Sequence, residues 1–178
     1  MSFSSLRRWF TRSDTPSTQG TSNAPGPAGA QAQFLRGLDF ASGAGVPQDY
    51  TQAAQCYAQA AEQDHSSAQL NLAMLYRQGQ GVARDDAKSL MWLTKAANLG
   101  NADAQYMLGV QQHLFWRDLS RGASAEGRIE ALKWVRLSAA QAHRGAEGAC
   151  QFIALGMTRE EVADSDRRAA AFAVCSRV

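Results

Sequence analysis

The clearest hydrophobic pattern in the chain lies near its middle. Ala68, Leu72 and Tyr76 recur at helical spacing with Ala73 beside them, which predicts an amphipathic helix with one buried face. The turn Gly79-Gln-Gly81 is predicted to end this helix, because glycine readily takes the left-handed backbone conformation of a helix C-cap.

A second helix is predicted directly after this turn. Asp85 is a suitable N-cap, and Trp92, Ala96 and Ala97 share the buried side. Gly100-Asn101 is predicted to end the helix. One such helix pair cannot bury its apolar face alone, so we expect it to stack on neighbouring pairs.

Similar pairs are indicated on both sides. Two motifs return after 36 residues: Ala32-Gln33 at Ala68-Gln69 and Ala104-Gln105, and Gly43-x-Gly45-Val46 at Gly79-x-Gly81-Val82. The third unit is about six residues longer, since Ala131-Leu-Lys-Trp134 follows Ser89-Leu-Met-Trp92 by 42 residues. A fixed period of this length predicts an array of repeated supersecondary units.

The composition supports an all-helical body. Leu, Ile, Val and Phe account for only 31 of 178 residues, whereas alanine alone accounts for 33. Alanine has the highest helix propensity, and its small side chain lets helices approach closely. We therefore predict an all-α fold rather than a sheet.

The chain divides into a tail and a repeat domain. Residues 13–29 are rich in Ser, Thr, Pro and Gly, so residues 1–29 are predicted to be a disordered tail. The repeat domain covers 30–178, with units at about 32–67, 68–103 and 104–145 and a degenerate capping unit at 146–175. The tail carries the whole net charge of +2. The neutral repeat domain argues against nucleic-acid binding.

The repeated pattern resembles the bacterial Sel1-like repeat family, which is related to TPR proteins. The pattern is A-x-A-Q-(Y/L)-x-L-G-x-x-Y-x-x-G-x-G-V-x-x-D followed by A-(L)-x-W-(Y/L)-x-K-A-A, and residues 68–103 are its best copy. The resemblance implies an α-solenoid without cofactors that acts as a protein–protein interaction scaffold rather than an enzyme. It also implies a concave binding face lined by the first helices. Gln33, Asn71 and Gln105 are candidate partner contacts there, because they fall outside the apolar stripes.

The third unit lacks the Gly-x-Gly turn and carries aromatic and basic residues in its place. Phe115, Trp116 and Arg117 are candidate partner contacts, because Trp and Arg are common in binding hot spots. The alternative is that Phe115, Trp116 and Leu119 only cover the flank of the third helix pair.

The beginning of the tail has two interpretations. Its aromatic and basic residues would form an amphipathic helix that docks on an anionic membrane or in a partner groove; they are Phe3, Leu6, Arg7, Arg8, Trp9 and Phe10. Alternatively, the segment is simply disordered, because helices this short are marginal in water.

Catalytic and metal sites are not indicated by the sequence. The three histidines, His65, His113 and His143, have no metal-ligand spacing, and the G-x-G turns lack the lysine of a phosphate loop. Cys56 and Cys150 align with core positions. A cell-wall hydrolase related to β-lactamase-like Sel1 proteins is the enzymatic alternative. The absence of a signal peptide and of a transmembrane segment predicts a cytoplasmic location.

The C-terminal region is predicted to close the array. Thr158 and Glu161 have the spacing of a capping box, which begins a final helix. This helix is predicted to bury Val162, Ala169, Phe172 and Ala173, and to expose Glu160, Asp164, Arg167 and Arg168.

Overall fold

A computed structural model describes residues 29–118 and 124–175, with the side chains of 29–115 and 124–174. These residues form eight α-helices and no strand, which confirms the predicted all-α class. The helices are α1 (Ala30–Ser42), α2 (Tyr50–Ala61), α3 (Ser66–Gln78), α4 (Asp86–Asn98), α5 (Ala102–Asp118), α6 (Ala125–Ala140), α7 (Ala146–Ala154) and α8 (Arg159–Cys175). The chain divides into two compact units, Met1–Trp92 and Leu93–Val178, and the division lies within α4.

The first unit is built around small side chains. Helix α2 packs against both α1 and α3. The buried cluster contains six alanines along with larger residues; its members are Phe34, Ala41, Ala53, Ala54, Tyr57, Ala60, Ala61, Ala68, Leu72 and Leu75. The alanines lie where neighbouring helices approach each other, which is the role that the composition predicted.

The Gly-x-Gly turn of the second repeat has a steric basis. Gly79 caps α3 with a left-handed backbone. At Gly81, which has φ of +68°, a Cβ atom would lie 2.2 Å from the carbonyl oxygen of Tyr50. Val82 then packs, half-buried, against the core cluster. The turn therefore requires glycine for its backbone conformation and for its close approach to α2.

The predicted helix caps are confirmed where the structure describes them. Asp85 precedes α4, and its Oδ1 accepts a hydrogen bond from the Lys88 N–H at 2.9 Å. Asp49 caps α2 in the same way, by accepting from Thr51 and Gln52. Each cap satisfies N–H groups that have no partner within the helix.

Helix α6 lies at the centre of the second unit. It packs against α5, α7 and α8. A buried cluster of Leu132, Val135, Ala146 and Ile153 joins α6 to α7. Gly109 of α5 approaches α6 so closely that a Cβ atom there would lie 2.5 Å from Val135 Cγ2.

The third repeat differs from the others in the length of its first helix. Helix α5 has 17 residues, whereas α1 and α3 have 13 each. Where the other repeats turn at Gly-x-Gly, α5 continues for about one more turn, a rise of roughly 6 Å. Part of the inserted sequence therefore extends a helix instead of forming a loop.

Helix α8 begins as predicted, but its most buried residues are not the predicted ones. The capping box is confirmed, since Glu161 Oε2 accepts from the Thr158 N–H at 2.7 Å and Thr158 Oγ1 accepts from the Glu161 N–H at 3.3 Å. The fully buried residues of its described part are Glu161 and Ser165, whereas Val162, Ala169, Phe172 and Ala173 are half-buried. The predicted exposure of Asp164 and Arg168 is wrong, because both are half-buried and form ion pairs.

Candidate functional site

A groove in the second unit lies between α5 and α7, the first helices of successive helix pairs. Two pairs of lining residues 39 positions apart meet across it, Tyr106 with Gly145 and His113 with Phe152, and Val110 and Ala149, which have the same separation, also line it. The two helices therefore run parallel along the groove. Its volume is about 250 Å³, and Leu114 and Ile153 complete the lining.

The groove exists because small residues face larger ones. Gly145 and Ala149 leave space on the α7 side that a larger side chain would fill. The Tyr106 hydroxyl is the nearest atom to a Cβ built on Gly145, at 3.8 Å. The lining is mainly apolar, as is usual in pockets that bind apolar groups.

Contacts behind the groove fix the position of Tyr106. The Tyr106 ring stacks on His143 with ring centroids 4.5 Å apart. His143 Nε2 lies 3.1 Å from a carboxylate oxygen of Asp103, on the same helix as Tyr106. These contacts hold one wall of the groove in place.

Apolar side chains continue from the groove to the protein surface. Phe152 is 56% exposed, and its ring meets His113 edge-on at 5.6 Å. Leu114 and Phe115 follow on α5, and Leu155 after α7 is 85% exposed. Exposed apolar residues that border a groove are typical of interaction sites.

The predicted contacts Asn71 and Gln105 are wrong, because both side chains are buried. Asn71 is 4% exposed and Gln105 is 1% exposed. Gln105 donates from Nε2 to the Ala97 carbonyl at 3.1 Å and accepts from Gln141 at 2.9 Å. Its position outside the apolar stripe reflects a structural hydrogen bond, since Ala97 lies near the end of α4, where carbonyl groups need partners.

The remaining predicted contacts have different outcomes. Gln33 is half-buried on α1, and Phe115 is 60% exposed on α5 beside the groove. Trp116 and Arg117 belong to α5, but their side chains lie outside the described residues. The tail candidates also lie outside them; they are Phe3, Leu6, Arg7, Arg8, Trp9 and Phe10.

Sequence reasoning missed most of the groove. The lining residues Tyr106, Ala149, Phe152 and Ile153 give no functional signal in the sequence, because each fits an ordinary apolar stripe. One available signal was the missing Gly-x-Gly turn in the third repeat. It extends α5 to 17 residues beside α7, which has only 9.

The cysteines of the described side chains are partly or fully buried and reduced. Cys56 is buried, and Cys150 is half-buried. Burial raises the pKa of both thiols, and the positive charges of Arg36 and Arg136, respectively, offset part of this effect. A raised pKa lowers the fraction of reactive thiolate, which is typical of structural cysteines.

The described residues form neither a metal-binding cluster nor a membrane-spanning helix. No group of three or more His, Cys, Asp or Glu side chains is placed to hold a metal ion. None of the described helices combines the length and the hydropathy needed to cross a membrane.

Solved structures with the same repeats match the chain. A Sel1 repeat protein from Oxalobacter formigenes is 30% identical, with a TM-score of 0.59 over 68% of this chain and 46% of that one. A protective antigen present in uropathogenic Escherichia coli strains, which has an SLR fold, is 32% identical with a TM-score of 0.61. That match covers 80% of this chain and 30% of the antigen. This chain thus spans less than half of either relative.

The family comparison covers most of the described residues. No curated protein matches the chain at a significant level. The Sel1 repeat model matches residues 30–65, 66–101 and 102–143, each match beginning two residues before the unit predicted from the sequence. Sel1 repeats are generally protein–protein interaction modules and are typically non-enzymatic. The chain belongs to the Sel1 repeat family and has its all-α solenoid fold.

Proposed function

We propose that this protein is a cytoplasmic interaction scaffold that binds a protein partner through the groove between α5 and α7. An apolar side chain of the partner, of the size of Leu, Phe or Trp, enters the groove. The observation that carries the proposal is an apolar groove of about 250 Å³, open to solvent and bordered by exposed apolar side chains.

The position of the groove supports this proposal. It lies between first helices, which are the helices that the resemblance assigned to partner binding. Phe115 extends the apolar border along α5. We propose that Trp116 and Arg117, which follow it in the sequence, contact the partner beyond the groove. The proposal assigns no catalytic step to the chain.

The test is to fill the groove without changing its charge. Ala149→Leu places three more carbon atoms in the space between Val110 and Ile153. Ala163→Leu, at an exposed position on α8, is the matched control. Affinity purification and mass spectrometry would compare the proteins captured by each variant. Thermal unfolding would check that both variants remain folded.

We expect one specific protein to be captured by the wild type and by Ala163→Leu, and to be lost with Ala149→Leu. Equal capture by all three would contradict the role of the groove. A chain without residues 1–29, purified in parallel, distinguishes the repeats from the tail. A partner that only the full chain retains would assign binding to the tail instead.

A further inference from the structure

Helix α8 is attached to α6 mainly through polar and charged side chains. Its fully buried described residues are Glu161 and Ser165, and its larger apolar residues, Val162 and Phe172, are only half-buried. Helix α7 contributes Ala146 and Ile153 to a buried apolar cluster, against which the half-buried Val162 of α8 also packs. Charged side chains therefore form a larger part of the contact of α6 with α8 than of its contact with α7.

Ion pairs join α8 to both ends of α6. Arg168 is the centre of a network, since its guanidinium lies 2.9 Å from Glu126 and 3.0 Å from Glu130 of α6. It also lies 3.0 Å from Asp164 of α8. Further along, Arg136 of α6 pairs with Asp166 of α8 at 2.7 Å.

A third ion pair lies at the beginning of α8. Arg128 of α6 contacts Glu161, whose side chain is mostly buried. The backbone N–H of Thr158 and the Arg128 guanidinium both lower the pKa of Glu161, so the carboxylate stays charged. The α6–α8 contact thus contains three ionic sites.

Aromatic residues complete the contact. Phe172 of α8 meets Trp134 of α6 edge-on, with ring centroids 5.3 Å apart. The Lys133 ammonium group lies over the Trp134 ring at 4.3 Å. Departure of α8 would uncover Trp134 beside a cation, and Trp is among the residues most enriched in binding hot spots.

Salt weakens ion pairs but does not weaken apolar contacts in the same way. The screening length falls from about 30 Å at 0.01 M ionic strength to about 3 Å at 1 M, so pairs that are partly open to solvent weaken. Arg168, Arg136 and the carboxylates that they contact across the two helices are 30–64% exposed. Apolar burial, which joins α7 to α6, does not depend on screening in this way.

We propose that α8 is an electrostatic latch, a helix that ion pairs hold on α6 and that opens with rising ionic strength while α5, α6 and α7 stay folded. Opening exposes the Trp134 face of α6. The inference does not depend on the groove, because the latch lies on other residues of the second unit.

Hydrogen exchange of the full-length chain, measured by mass spectrometry at 0.05 M and 1 M NaCl, tests the latch. We expect amides of α8 to exchange roughly ten-fold faster at high salt, because the ion pairs weaken. The exchange rates of amides in the buried part of α6 should change by less than about two-fold. Equal acceleration of both helices, or no change in α8, would overturn the proposal.

Charge reversal supplies a matched comparison at low salt. Arg168→Glu should open α8. Arg167→Glu is the control, because it changes the net charge by the same amount on the exposed side of α8 and should leave the helix attached. Arg167 pairs only with Asp164 of its own helix among the ion pairs described. Faster α8 exchange in the first variant alone supports the latch, and equal exchange in both contradicts it.

The Arg136–Asp166 pair keeps the test valid even if Arg168→Glu fails to fold. Asp166→Arg alone should speed α8 exchange, and the double variant Arg136→Glu with Asp166→Arg should restore slow exchange. Failure of the double variant to restore protection would contradict ionic attachment.

Discussion

At the scale of single residues, a glutamine that recurs in each repeat has different surroundings at the beginning of the array. Gln69 donates to the Ala61 carbonyl at 3.0 Å, and Gln105 donates to the Ala97 carbonyl at 3.1 Å. Both are buried, whereas Gln33 is half-buried on α1. At positions 69 and 105, the glutamine thus hydrogen-bonds to the preceding helix pair. We therefore expect these two residues to contribute more to the free energy of unfolding than Gln33 does.

The first prediction compares the same substitution at two of these positions. Gln105→Ala removes the amide that satisfies the Ala97 carbonyl, so we expect it to lower the free energy of unfolding by about 1–3 kcal/mol. Gln33→Ala, the control, should change it by less than about 0.5 kcal/mol. Urea denaturation of both variants measures the difference, and equal effects would show that the hydrogen bond does not matter.

The second prediction concerns the thiol of Cys56. Because burial raises its pKa above the ordinary value, its thiolate fraction at pH 8 is smaller than in an unfolded chain. Reactivity should therefore rise only as the pH approaches the raised pKa. We expect iodoacetamide to modify Cys56 at least about ten-fold more slowly in the folded protein than in urea. Peptide mass spectrometry gives the rate, and fast labelling of the folded protein would be inconsistent with this.

At the scale of helices, the boundary between α7 and α8 depends on a short polar motif. Thr158 and Glu161 satisfy each other's backbone N–H groups at the beginning of α8. Arg128 adds an ionic contact to the same carboxylate. One glutamate therefore both begins α8 and attaches it to α6.

The third prediction tests the capping part of this motif. Thr158→Ala removes the hydroxyl acceptor and should destabilise the beginning of α8 by about 0.5–2 kcal/mol. Thr158→Ser keeps the hydroxyl group and is the matched control. Faster amide exchange in the first turn of α8 in the alanine variant alone is the expected result. The same exchange in both variants would mean that the hydroxyl contributes little.

Helices and turns could be predicted from the sequence because their signals are local. The Gly79 C-cap, the Asp85 N-cap and the Thr158–Glu161 box depend on residues within a few positions of each other. The buried face of α8 could not be predicted in this way. Arg168 looks exposed on its own helix, and its partners Glu126 and Glu130 are about 40 residues away.

The groove could not be predicted from the sequence for a related reason. Phe115 was selected from its local context, but the lining of the groove depends on which turns of α5 and α7 face each other. The space beside Ala149 and Val110 can be identified only when the register of the two helices is known. Neither residue differs in type from an ordinary core residue.

At the scale of the whole molecule, each of the two units contains a buried apolar cluster. Phe34, Tyr57 and Leu75 belong to the cluster of the first unit, and Leu132 and Ile153 belong to that of the second. In repeat proteins, stability is approximately a sum of contributions from single repeats and their neighbours. A local packing defect should therefore have its main effect within one unit.

The fourth prediction tests this with glycine substitutions in the second unit. Gly109→Ala would place a Cβ atom 2.5 Å from Val135 Cγ2 and 2.7 Å from the Ala131 carbonyl oxygen. We expect a loss of about 1–3 kcal/mol in the free energy of unfolding. Amide exchange should accelerate in α5 and α6, while α1 to α3 retain their rates.

Gly148→Ala is the control for this substitution. It lies on α7 with open space around the new Cβ atom, so the higher helix propensity of alanine should stabilise the protein by up to about 1 kcal/mol. Equal acceleration in all helices of Gly109→Ala would contradict a local effect of the substitution.

The glutamine connection also bears on how such a chain can change in length. The 36-residue segment from 66 to 101 carries an amide that binds a carbonyl of the helix before it and an alanine carbonyl that accepts from the helix after it. A tandem duplication of this segment would keep this glutamine donor matched to its carbonyl acceptor at the new junction. Arrays of this kind can therefore be lengthened by whole repeats through one genetic event, without further substitutions at the joints.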